Sequence, residues 1–169
     1  MVAGLGDPEA RVRVYVAKAP PLSEYQQLSV VQPLQTGEIA AINSACGNGW
    51  RKVFNVYAKL LYALPAPWRP QPAPERWQDY RGSRLLQAGS GTALLFSPPT
   101  AKPGLHIIAG RQHARALAAA DQLPARLSWL DCAFAVADQG TLLVCPYLDY
   151  RQLSDRQIQR VSTLVAQLP

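Results

Sequence analysis

A chain of 169 residues that is 49% hydrophobic and 17% charged has apolar material for one domain with a core, and is too short for two ordinary ones. No apolar run reaches the roughly 20 residues that cross a bilayer, and the start, Met1-Val2-Ala3-Gly4, lacks the basic and apolar stretches of a secretion signal, so a cytoplasmic location is expected. The net charge of +6 arises from 17 basic and 11 acidic side chains with no block of like charge, which favours acidic partners only weakly.

Arg11 to Ala17 alternates polar and apolar residues before turning continuously apolar, which predicts the first strand after a Gly6-Asp7-Pro8 turn. Lys18-Ala19-Pro20-Pro21 ends it, because two prolines cannot continue a ladder. A short helix is expected around Ser23 to Leu28, a turn from Pro33 to Gly37, and one or two helical turns between Glu38 and Ala45. Asn48-Gly49 then breaks the chain. Trp50, Val53, Phe54, Tyr57, Leu60, Leu61 and Leu64 follow at helical spacing until Pro65, predicting a long helix packed on the sheet. Arg51 and Lys52 fall in its first turn, beside free backbone N–H groups, where they can meet a phosphate or simply form a solvated basic pair.

Prolines 65, 67, 70, 72 and 74 predict an extended, polyproline-like strap across the surface, spanning residues 65–82. Arg76, Trp77, Tyr80, Arg81 and Arg84 interleave charge with rings as single-stranded nucleic acid requires. The same rings, with Trp68, serve equally to pin the strap down. Gly89-Ser90-Gly91 is no phosphate loop, since neither Gly-Lys-Ser nor Gly-Lys-Thr follows.

Thr92 to Phe96 and Leu105 to Ala109 read as buried strands. The connection between them is too short for a helical crossover, so the two are expected to be antiparallel or not adjacent. Gly110 turns the chain into an alanine-rich helix running to about Leu123, with Arg111 and His113 in its first turn. His113 is expected to face solvent, and His106, inside a strand, to be packed and hydrogen-bonded. Leu130 to Ala137 and Thr141 to Cys145 flank the hairpin signal Asp138-Gln139-Gly140. The strand ending at Cys145 is expected to run parallel to residues 105–109 and to be followed by a helix capped by Ser154 and Gln157.

These elements predict an α/β fold: a single domain over residues 1–169 with a mixed, mostly parallel sheet of about four to five strands and helices on both faces. Ligands of such sheets bind outside the carboxyl ends of the strands. That rim gathers Lys18, Arg111, His113, Tyr147, Asp149, Tyr150 and Arg151 as candidate ligand-binding residues. Cys46, Cys132 and Cys145 are odd in number and widely spaced, and His106 and His113 pair with none of them at ligand spacing, so buried cysteines, no metal and no cofactor are expected.

Leu105-His-Ile-Ile-Ala-Gly-Arg-Gln-His-Ala-Arg115 and Leu142 to Ser154 resemble the carboxyl half of the uracil-DNA glycosylase-like superfamily: a strand, glycine and helix, then the last strand and its catalytic loop. The resemblance implies a glycosylase-like fold. It also implies loss of base-excision chemistry, because Lys18-Ala19-Pro20-Pro21 stands where the family has a water-positioning acid before proline, and Tyr147-Leu148-Asp149-Tyr150 stands in place of His-Pro-Ser. As a whole the chain looks like a member of an uncharacterised bacterial family of the domain-of-unknown-function kind.

Three functions fit this reading. One is a binding protein for nucleic acid or a phosphate-bearing ligand, held by Lys18, Arg111 and Arg151, with Arg51 as a further candidate contact and Tyr147 and Tyr150 as stacking surfaces. Another is an enzyme on a small anionic substrate, with Asp149 as general base, although Asp149 and Arg151 equally form a structural ion pair. The third is an interaction or structural domain that pairs as a homodimer through the proline-rich strap and surface aromatics. Binding is favoured over catalysis.

Overall fold

Four short strands with their carboxyl ends on one edge form the centre of the sheet in the computed structural model, which describes residues 1–169. They are β2 (Val12–Tyr15), β4 (Thr92–Leu95), β5 (Leu105–Ala109) and β8 (Leu142–Cys145), in the spatial order β4-β2-β5-β8 and parallel throughout. On one side β1 (Gly4–Gly6) pairs antiparallel with β4 and carries β3 (Val31–Gln32) at the edge. On the other, β7 (Ala135–Ala137) and β6 (Leu127–Trp129) continue antiparallel from β8. The sheet thus has eight strands and is mixed, where four to five mostly parallel strands were expected.

The additional strands escaped the sequence reading for local reasons. In β1 the Gly-Leu-Gly triplet has almost no side chain to show a period, yet a Cβ at Gly4 or Gly6 would run into the backbone of β4. Only backbone can lie that close. β3 is two residues long and β6 three, too short to display alternation.

The helices are α1 (Ser23–Gln26), α2 (Glu38–Cys46), α3 (Asn48–Ala63), α4 (Trp77–Ser83), α5 (Arg111–Ala119) and α6 (Asp155–Gln167). Alternation along the strands divides the core in two. Val12, Val14, Leu94, Ile107 and Leu143 join the cluster that also holds Phe54, Tyr57 and Leu61 of α3 and Ile158 and Val161 of α6. Tyr15, Leu95, Ile108 and Val144 point the other way, to Ala114 and Leu117 of α5. Tyr57 ties α3 to the sheet by donating its hydroxyl to the Ala93 carbonyl at 2.7 Å.

β4 and β5 are both parallel to β2, which separates them. The segment 97–104 returns between them with no helix. A plain extended chain advances about 3.3 Å per residue, enough to run back along so short a strand and across one neighbour about 4.8 Å wide at each step. The two strands are not adjacent, one of the two arrangements expected from so short a connection, and the return between them is bare chain. Within residues 65–82 the chain forms a 3₁₀ turn at Ala66–Trp68 and then α4, a helix the proline density gave no reason to expect. Trp68 and Trp77 pack against the core, Tyr80 is fully buried, and Tyr62 donates its hydroxyl to the Pro74 carbonyl at 2.5 Å.

Candidate functional site

The carboxyl ends of β2, β4 and β8 release three loops at one edge of the sheet, and between these loops, α1 and the start of α3 lies a crevice of about 770 Å³. Its volume falls within the range of small-molecule pockets. Lys18 comes from the β2 loop, Phe96 and Ser97 from the β4 loop, Tyr147 from the β8 loop, Tyr25 from α1 and Trp50 from α3. Pro20-Pro21 turns the chain out of β2 and leaves Lys18 exposed, in no ion pair. Four aromatic rings and one unpaired ammonium therefore share a single opening.

The remaining lining is apolar or neutral, with no carboxylate and no imidazole side chain among the 14 residues. Ser97 accepts a hydrogen bond from the Ala3 backbone N–H at 3.1 Å, which leaves its own hydroxyl proton to donate. Burial, and then the nearby Asp149 charge, raise the Tyr147 hydroxyl above its ordinary value, so the ring enters the crevice as a neutral phenol. Tyr25 is held in place by donating to a Glu38 carboxylate oxygen at 2.5 Å.

The other predicted residues stand along the same rim but outside the crevice lining. Gly110 donates its N–H to the Cys145 carbonyl at 2.8 Å and adopts φ +108, so the start of α5 lies close to the backbone that becomes Tyr147. Arg111 reaches instead to the Cys132 carbonyl, 3.4 Å from its Nη1. His113 is half-buried where solvent exposure was expected: its Nε2 is buried with no partner, and burial lowers its pKa.

Asp149 is held by its own loop. One carboxylate oxygen accepts the Arg151 backbone N–H at 2.9 Å, the Arg151 guanidinium lies 3.4 Å from the other, and Lys52 of α3 approaches to 4.0 Å. The backbone hydrogen bond is the main reason its pKa falls below the ordinary value. Tyr150 is exposed, with the Lys52 ammonium 5.2 Å from its ring centre. Of the expected set, then, Lys18 and Tyr147 line the crevice together, and Asp149, Tyr150 and Arg151 form a neighbouring cluster over the first turns of α3.

Trp50, Tyr25, Phe96 and Ser97 were not anticipated. The helical period of α3 assigned Trp50 to the buried face, whereas the ring is half-buried and also forms crevice wall. Phe96-Ser97 follows a parallel strand just as Lys18 does, and that equivalence was the available signal.

The model of a family of unknown function, DUF6942, matches residues 3–166. The chain belongs to the DUF6942 family. No curated protein and no solved structure matches this DUF6942 chain. No helix in it is long and apolar enough to cross a membrane.

Proposed function

We propose that the chain is a binding protein for nucleic acid or another phosphate-bearing ligand, whose flat base enters the crevice while Lys18 meets its phosphate. The observation that carries this reading is the joint placement of Trp50, Phe96, Tyr147 and Lys18 around one opening outside the carboxyl ends of parallel strands. Aromatic faces stack any nucleobase, and an unpaired lysine supplies the attraction to phosphate.

Binding is favoured over catalysis by the same inventory. A general base must reach the proton it removes, and the crevice lining presents neither a carboxylate nor an imidazole side chain for that work. Asp149 is already engaged by Arg151 and Lys52. The glycosylase-like resemblance supports the same outcome: Lys18 and Tyr147 belong to the two segments that stand in place of that family's catalytic motifs, and both line the crevice. The reading is therefore a glycosylase-like crevice that retains a ligand and has lost the chemistry.

The test is titration of the intact chain with short single-stranded oligonucleotides and with a mononucleotide across a series of salt concentrations. Binding that weakens with salt, with a log–log slope of about −0.7 per phosphate neutralised on a single strand, is expected. Absence of saturable binding to either probe at low salt removes the proposal.

A further inference from the structure

One wall of the crevice is scarcely joined to the rest of the fold. Pro21, Tyr25, Gln26 and Leu28 line the crevice from the segment 21–29, which contains α1. The backbone is anchored on either side of this segment: Val16 donates its N–H to the Leu95 carbonyl at 3.0 Å, and the Val30 carbonyl accepts from Gly4 at 3.2 Å. Between those two bonds every backbone hydrogen bond closes locally, from Leu22 to Pro20, from Tyr25 and Gln26 to Leu22, and from Gln27 to Ser23. No residue of the segment takes part in an ion pair.

A single buried side chain holds it down. Of residues 21–29 only Tyr25 is buried; Leu22 and Leu28 are half-buried and the others exposed. The Tyr25 hydroxyl makes the segment's one side-chain hydrogen bond, donating to Glu38 Oε2 at 2.5 Å. Glu38 is the first residue of α2, and its other oxygen accepts the Gln35 backbone N–H at 2.9 Å. The bond therefore fastens the segment to the start of a helix that is itself fixed in place.

Segments with few buried apolar contacts and only local backbone bonds open while the core stays folded. Lys18, Trp50, Phe96 and Tyr147 all lie outside residues 21–29, on strand ends and α3. Movement of the segment would thus widen the crevice and leave those four groups where they are.

We infer that residues 21–29 are a lid on the crevice, latched by Tyr25 against Glu38, which opens to admit a ligand and closes over it. Tyr25 is a positioning residue, since it acts by holding the lid. The gating role rests on the crevice being the ligand site proposed above; the opening of the segment does not.

Amide hydrogen exchange of the intact chain, read by mass spectrometry, tests the opening without any ligand. Tyr25→Phe keeps the ring in the core and removes the latch. Because a hydrogen bond to a charged acceptor shifts an equilibrium by about tenfold to a hundredfold, exchange across 22–29 should accelerate by about that factor while β2 and β4 keep their protection. Glu38→Gln, which leaves Tyr25 an uncharged acceptor, should fall between the two. The gate is tested by stopped-flow mixing with adenosine 5′-monophosphate. The latch is made whether the crevice is empty or full, so Tyr25→Phe should speed entry and release alike, each about tenfold or more, with little change in Kd. A side chain serving only as a ligand contact would speed release alone and weaken Kd. Exchange across 22–29 unchanged in Tyr25→Phe, or an unchanged rate of entry, would overturn the lid. Failure of the nucleotide to bind falls on the proposed function, and the ligand-free exchange comparison then decides by itself whether the segment opens.

Discussion

Tyr15 of β2 and His106 of β5 sit side by side on neighbouring strands, with the tyrosine hydroxyl 2.7 Å from His106 Nδ1 and the rings stacked 5.8 Å apart. His106 Nε2 lies 2.7 Å from the Lys102 carbonyl, which can only accept, so Nε2 carries the proton and Nδ1 accepts from Tyr15. The pair fastens the bare return segment 97–104 to the sheet it crosses.

A pH dependence of stability follows. Burial lowers the His106 pKa from its ordinary 6.5, so the unfolded chain takes up a proton more readily than the folded one. The stabilising effect is fully present above 6.5 and is lost as pH falls through the lowered folded value. Thermal unfolding should show the melting temperature dropping as pH is taken from 7 towards 5. His106→Gln should flatten part of that slope, the remainder belonging to His113, whose pKa burial also lowers. An unchanged slope in the variant would contradict the assignment.

The face of α3 toward the sheet supplies much of the larger core cluster. Phe54 and Leu61 are both fully buried there. Phe54→Ala is expected to cost about 3–5 kcal/mol and Leu61→Ala about 2–5 kcal/mol, measured by urea denaturation, because each leaves a cavity that the sheet cannot close. A loss under about 1 kcal/mol for either would show that the α3 face is not packed as described.

Asp149 should behave as a loop fastener. Its carboxylate caps the Arg151 backbone N–H and meets two cations, and its side chain is only 16% exposed, so Asp149→Ala should cost about 1–2 kcal/mol. Its pKa is lowered in the folded state, so its contribution is fully present above the ordinary 3.8 and is lost as pH falls through the lowered folded value. Denaturation at pH 7 and pH 3 distinguishes this: the gap between wild type and variant should close at the lower pH.

The three cysteines should separate by reactivity. Cys132 is exposed, Cys46 half-buried, and burial pushes the Cys145 thiol up to about 12. A thiol reagent applied to the folded chain should label Cys132 first and Cys145 only after denaturant is added. The expectation of buried cysteines holds fully for Cys145 alone.

If the crevice holds a base, Trp50→Ala and Tyr147→Ala should each weaken oligonucleotide binding by about 1–3 kcal/mol, the usual worth of one stacking partner. Lys18→Gln should lower affinity and also flatten its salt dependence, since a phosphate contact disappears. Fluorescence anisotropy of a labelled oligonucleotide measures both.

The sequence disclosed what repeats and concealed what is short. α3 was legible because Val53, Phe54, Tyr57, Leu60 and Leu61 keep one period over many turns, and β5 and β8 because their apolar runs are continuous. β1 was hidden by its two glycines, and α4 by the prolines that precede it. In the crevice, Lys18 and Tyr147 could be found from strand ends, because a chain leaving a parallel strand must arrive at that edge. Trp50 could not. A ring at helical spacing looks the same whether it meets core or cavity.

The sheet ends in β3 at one border and β6 at the other, two and three residues long. Borders so short offer an incoming polypeptide almost no ladder to extend, which guards against polymerisation through exposed strands. Concentrated solutions of the folded chain should accordingly resist fibre formation, although its interior is built from strongly β-prone segments.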